Sequence, residues 1–222
     1  MKTKLILSTI VVVVALILNL GSVARTAAGE AMADGPQYTP QYTPQYTPQY
    51  TPQYTPQYTK DNQLIRPANY RNWVYLSSSV GLQYGPSAPA NPSFENVYVN
   101  PPAYKEFVKT GKWPDKTMFV LELRRLLDKG TFAHGGQYQG DLITMEAAVK
   151  DERRFPEKWA YFGLGTTATS AKAIPKEGGC FSCHATNAAV ENTFAQFYPT
   201  VIAIAKEKGT LNPNYQRTQE TR

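Results

Sequence analysis

From residue 62 onward, apolar and polar positions alternate in short runs broken by Gly, Pro, Ser and Asn. "NWVYLSSSVGLQY" (72–84) and "FENVYVN" (94–100) are rich in β-branched and aromatic residues and are separated by a turn-forming stretch, which predicts two strands joined by a long loop. "PPAYKEFVKTG" (101–111) opens on prolines, closes on glycine and spaces Tyr104, Phe107 and Val108 as a short helix does. "KTMFVLELRRLLD" (116–128) alternates as a strand, and "KGTFAHGGQYQGD" after it has hairpin-turn composition. "LITMEAAVKD" (142–151) and "WAYFGLG" (159–165) supply two further strands, the first also compatible with helix because Met, Glu and Ala are good helix formers. Farther on, Val190, Phe194, Phe197, Tyr198, Val201, Ile202 and Ala205 recur at helical spacing. Pro199 should kink or restart that helix, and Gly209 and Pro213 should end it. The expected fold class is mainly β, of the α+β kind: an antiparallel sheet with a few helices.

The N-terminal part follows other rules. Lys2 and Lys4 precede an apolar run from Leu5 to Leu20, and Ser22-Val23-Ala24 has the small-x-small form of a signal-peptidase site. Residues 1–24 are thus expected to be a signal peptide, with retention as an anchor the alternative, and the chain to be exported to the periplasm or beyond. Residues 25–61 are expected to be a disordered linker built on six perfect PQYT copies (36–59). Proline at every fourth position removes backbone donors and biases the preceding Thr towards extended geometry, which favours a polyproline-like tether of up to about 75 Å. A passive spacer explains the repeat; so does an array of tyrosines that binds a wall polymer, a partner or a neighbouring copy. One domain (62–209) and a tail (210–222) complete the chain. Without the signal's two lysines the formal charge falls from +6 to +4. No basic run is interleaved with aromatics, so nucleic acid is not an expected partner.

Export sharpens the meaning of "GGCFSCHATN" (178–187), which holds both cysteines and one of the two histidines. Oxidising compartments favour disulfides, yet closing a loop between cysteines three positions apart restricts the unfolded chain very little. A four-ligand zinc site lacks donors, since His134 is the only other Cys or His. A thioredoxin-like dithiol would open a helix within a βαβ pattern, and no such order is evident. A c-type haem site uses every residue: Cys180 and Cys183 add across two vinyl groups, and His184 binds the iron from below.

At this point the chain resembles the cytochrome P-460 and cytochrome c-prime-beta family. The likeness rests on "NYRNWVYL", "FENVYVNPPAYKEFVKTGKWPDKTMFVLEL", "ITMEAAVKDERRFPEKWAYFGLG", the Cys-x-x-Cys-His and "ATNAAVENTFAQFYP", and covers about residues 62–204. It implies a homodimer of antiparallel β subunits, each with one covalent haem c and an open axial position. P-460 members are implied to oxidise hydroxylamine or nitric oxide, with a lysine cross-linked to the haem and a redox partner taking the electrons. The c-prime-beta members are implied to bind nitric oxide without that link. Residues 62–104 contain no lysine, and Lys105, Lys109, Lys112 and Lys116 are the nearest candidates. An electron-transfer cytochrome with no substrate chemistry is the alternative. Further candidates on the distal side are His134, which also fits a Gly-rich turn; Met118 and Met145, which also suit a core; and Arg71, Glu122 and Asp151, which also suit surface ion pairs.

Overall fold

The computed structural model describes residues 54–82, 84, 91–129, 132 and 135–220, so the expected signal peptide and most of the repeat lie outside the described residues. Five strands run side by side in chain order and all antiparallel: β2 (Val74–Val80), β3 (Ser93–Val99), β4 (Met118–Leu127), β5 (Tyr138–Lys150) and β6 (Trp159–Gly165). A small second sheet pairs β1 (Leu64–Ile65) with β7 (Ser170–Ala171). The helices are α1 (Pro101–Thr110), α2 (Cys180–Asn187), α3 (Pro199–Lys208) and α4 (Pro213–Glu220). The mainly antiparallel β class with a few helices is therefore correct, and each expected strand of the large sheet is present.

Alternation along the strands creates two cores, one on each face of the sheet. On the inner face Val97, Val99, Phe119 and Trp159 meet Ala103 and Phe107 of α1 and Val201 and Ala205 of α3. Trp113 anchors this layer, stacked on Phe107 at 3.9 Å and edge-on to Phe119 at 4.8 Å. On the outer face Met118, Val120, Met145, Val149, Phe162 and Leu164 meet Leu64, Tyr70 and Trp73 from the N-terminal segment. Burial of Met145, Ala147 and Val149 on that face decides the 142–151 ambiguity for strand, because a two-residue period matches the sheet and no helical stripe would. α1 ends where glycine predicts. Gly111 sits at φ 70°, and a Cβ there would come within 2.7 Å of the Lys208 Cβ and the Thr210 Oγ1, so glycine also admits the end of α3.

Several expectations are corrected. The apolar periodicity from Val190 to Ala205 is not one helix. Pro199 restarts the chain as α3 and Gly209 ends it, both as expected, but upstream a Val190–Thr193 bridge and a 3-10 turn at Ala195–Phe197 replace the expected helical bonding. Pro213 opens α4 instead of closing a helix, as its missing N–H allows at a first position. The domain also extends past both expected limits. Leu211 and Tyr215 pack on the inner core, so 209 is not its end. Tyr54 and Tyr58 pack on the outer core, so the disordered linker does not reach residue 61.

Candidate functional site

The Cys-x-x-Cys-His stretch forms α2, so the cysteines open a helix, but the sheet beside it is antiparallel and, among the described residues, holds no βαβ unit of the thioredoxin kind. Two glycines bring the chain to it. A Cβ on Gly178 would come within 2.7 Å of the Ile174 Cγ2, and Gly179 has φ 86°, a region that side chains disfavour. The Gly179 carbonyl then accepts from the Cys183 amide at 3.0 Å and from the Ser182 hydroxyl at 3.0 Å. Cys180, Cys183, His184 and Asn187 fall at i, i+3, i+4 and i+7, so both thiols and the imidazole share one helix face. Both cysteines are free and half-buried.

His184 is held from three sides. Its Nδ1 lies 2.9 Å from the Asn192 carbonyl, which can only accept, so Nδ1 carries the proton and Nε2 keeps its lone pair. Its ring lies between Phe194 at 4.1 Å and Tyr161 at 4.3 Å. Burial pushes the His184 pKa down, outweighing the hydrogen bond to Asn192, and keeps the imidazole in the neutral form that metals bind.

The Asn192 carbonyl depends on an elaborately tied loop. Asn212 gives its Nδ2 to the Ala188 and Glu191 carbonyls at 2.8 and 2.7 Å, and its Oδ1 accepts from the Glu191 amide at 3.1 Å. The Glu191 carboxylate accepts from Lys150 at 2.8 Å and from the Trp113 amide at 3.0 Å. Trp113 Nε1 donates to the Thr193 hydroxyl at 3.0 Å. Glu191 is kept at φ 47° within this frame. These bonds to distant residues explain why 188–198 departs from a helix.

Cys180, Cys183 and His184 line a cavity of about 290 Å³ between α2 and the inner face of the sheet. Its walls are largely apolar, with Leu82, Val97, Phe119, Leu121, Phe197 and Tyr198 among them. Two carboxylates interrupt them. Glu95 is buried and accepts from the Ser79 hydroxyl at 3.2 Å; burial raises its pKa, the Ser79 bond opposes this, and the nearby Glu146 charge adds to it. Glu146 also lines the cavity, and although it is exposed, the apolar lining around it desolvates the carboxylate and pushes its pKa up. Tyr84 also lines the cavity, stacked on Phe194 at 5.8 Å and 61% exposed. Two thiols and a neutral imidazole at one wall of a mostly apolar cavity suit a flat macrocycle with an iron centre and reactive vinyl groups.

The other sequence candidates lie elsewhere. Met118 and Met145 are buried in the outer core. Glu122 is on that face too, accepting from Tyr70, from Arg71 Nε at 2.8 Å and from Arg124 Nε at 3.0 Å. Asp151 pairs with Lys116 and takes the Tyr58 hydroxyl at 3.3 Å. Lys105 and Lys109 belong to α1, Lys112 and Lys116 to the turn after it, and none of the four lines the cavity. His134 lies outside the described residues. Sequence reasoning missed Glu95, Glu146, Tyr84 and Asn192. Glu95 had a readable signal, since it alternates with Val97 and Val99 and a charge in phase with core residues points inward.

Among the described residues, no helix is long and apolar enough to cross a membrane. The family model described as Cytochrome P460 matches residues 67–195, more than half of the chain. No curated protein matches it.

Proposed function

The chain belongs to the cytochrome P460 family, and from that membership, which implies haem binding, we propose an exported mono-haem c-type cytochrome whose iron keeps one face open for hydroxylamine or nitric oxide. Cys180 and Cys183 would hold the haem through thioethers, and His184 Nε2 would ligate its iron. The observation that carries this reading is the shared helix face of two free thiols and an imidazole whose Nδ1 proton is already committed to Asn192. Among the described residues lining the cavity there is no methionine, lysine or second histidine. This favours a small-molecule site over the electron carrier, which needs a sixth protein ligand.

Haem supplies one-electron redox chemistry and a binding position for nitrogen ligands. The chain's residues supply the setting. Asn192 fixes the tautomer and orientation of His184, and Phe194 and Tyr161 fix its plane. Most of the cavity wall is apolar. Glu95 and Glu146, with raised pKa values, are the groups able to accept protons that hydroxylamine loses as it is oxidised, while electrons pass to a redox partner protein. Thioether formation outside the cytoplasm would accord with the signal peptide expected at residues 1–24, and a homodimer is proposed on the resemblance alone.

The test is an absorption spectrum and intact mass of the haem-loaded mature protein, with nitric oxide and hydroxylamine titrations. Two thioethers and a ferrous nitric oxide adduct are expected, and electron uptake from hydroxylamine by an added acceptor would identify the oxidase. A ferrous protein that binds neither ligand would establish the electron carrier instead. A third covalent link with a strongly red-shifted Soret band would place a lysine on the haem.

A further inference from the structure

The last copies of the PQYT repeat are gripped by the domain through contacts that a spacer does not need. Pro56 is buried. Asn100, only 2% exposed, donates Nδ2 to the Tyr54 carbonyl at 2.7 Å. The Ile65 amide donates to the Gln57 carbonyl at 2.8 Å and Tyr58 bridges antiparallel to Leu64, so the unit adds to the edge of β1 as a peptide ligand adds to a sheet. The Tyr58 hydroxyl reaches Asp151, the Arg154 guanidinium lies 3.8 Å over the Tyr58 ring, and Phe155 meets that ring edge-on at 6.4 Å. Backbone pairing and a cation-capped aromatic pocket together form a recognition groove.

We propose that this groove is a receptor for the repeat unit, and that its occupant exchanges for the identical unit of a second copy of the chain. Every contact is made to atoms that each repeat copy carries: a tyrosine ring and hydroxyl, a proline, and two carbonyls. The window Tyr-Thr-Pro-Gln-Tyr begins at Tyr38, Tyr42, Tyr46, Tyr50 and Tyr54. The seated window is the last, and four identical ones precede it in sequence. Each chain thus brings one groove and several interchangeable ligands, the arrangement that links copies by multivalency. The chain's own unit, joined by a short turn, competes at an effective concentration of about millimolar, so exchange is favoured where copies are crowded. This inference concerns the face of the sheet away from the haem cavity and stands or falls separately from the haem assignment.

The full haem-loaded chain carrying Tyr58→Ala should bind a fluorescent TPQYTPQYT peptide saturably, about tenfold or more tighter than wild type, where the resident unit competes. Adding Arg154→Ala should weaken that binding about tenfold by removing the cation over the ring, and a peptide with serine for tyrosine should not bind. In sedimentation velocity the wild type should assemble further with concentration than a variant with Tyr38, Tyr42, Tyr46 and Tyr50 replaced by serine, and free peptide should reverse the difference. This second measurement decides the matter alone if Tyr58→Ala does not fold. The proposal is overturned by a folded Tyr58→Ala chain that ignores the peptide, or by equal sedimentation of wild type and serine variant with no peptide effect.

Discussion

Glu95 and Glu122 sit on neighbouring strands, face opposite sides of one sheet, and respond to pH with opposite sign. Burial, reinforced by Glu146, raises the Glu95 pKa above its unfolded value. The unfolded chain therefore releases that proton first, and stability falls as pH rises from about 4.3 through the raised value. Glu95→Gln should melt higher than wild type at pH 7, with the gap closing below about pH 4, as thermal melts across pH would show. Burial also opposes charge on Glu122, but donation from Tyr70, Arg71 and Arg124 outweighs it and the pKa is lowered. Its contribution is present above the unfolded value and is lost as pH falls through the folded one. Glu122→Gln should cost about 2 kcal/mol at pH 7, the order of a buried charged hydrogen bond, and less in acid. At the proposed ligand, His184→Ala should destroy the normal iron ligation, and an unchanged haem spectrum would refute the assignment of that imidazole.

Among the elements, α2 is entered through a close approach. Gly178→Ala would drive a methyl into the Ile174 Cγ2, with an overpacking cost of about 1–3 kcal/mol. The yield of covalent haem should fall with it, measured by haem retained after acidified organic extraction, and Ile174→Ala should restore part of both. If the double variant is no better than the single, the contact is not what positions α2. The same element shows what a sequence makes legible. Cys180, Cys183 and His184 were readable because their relation is local, a spacing along one helix face. The strands were readable because burial imposes a period of two on their own residues. Residues 188–198 were not, since their hydrogen-bond partners are Trp113, Lys150 and Asn212, which no local period encodes. Glu95 and Glu146 reach one cavity from β3 and β5, so their meeting required the sheet order, although the inward phase of Glu95 was visible.

In the molecule as a whole, the imidazole is aimed by residues far apart in the chain. Asn212 ties the segment before α4 to the loop after α2, Glu191 ties that loop to Trp113 and to the end of β5, and the loop presents the Asn192 carbonyl to His184. Asn212→Ala would remove three hydrogen bonds and leave the Ala188 and Glu191 carbonyls and the Glu191 amide without this partner. The expected destabilisation is about 2–3 kcal/mol, since these are partly buried groups with desolvation already incurred. A merely structural loss would stop at the melting temperature. If the loop positions the ligand, the haem-loaded variant should also show a weakened His184–iron bond, read as a lower iron–histidine stretching frequency or a larger five-coordinate fraction with nitric oxide. Asn212→Asp keeps the acceptor for the Glu191 amide but not the two donations, so it should fall between wild type and alanine in both readouts. A variant that melts lower while the iron–histidine signature stays at its wild-type value would show that the frame supports the fold without aiming the imidazole.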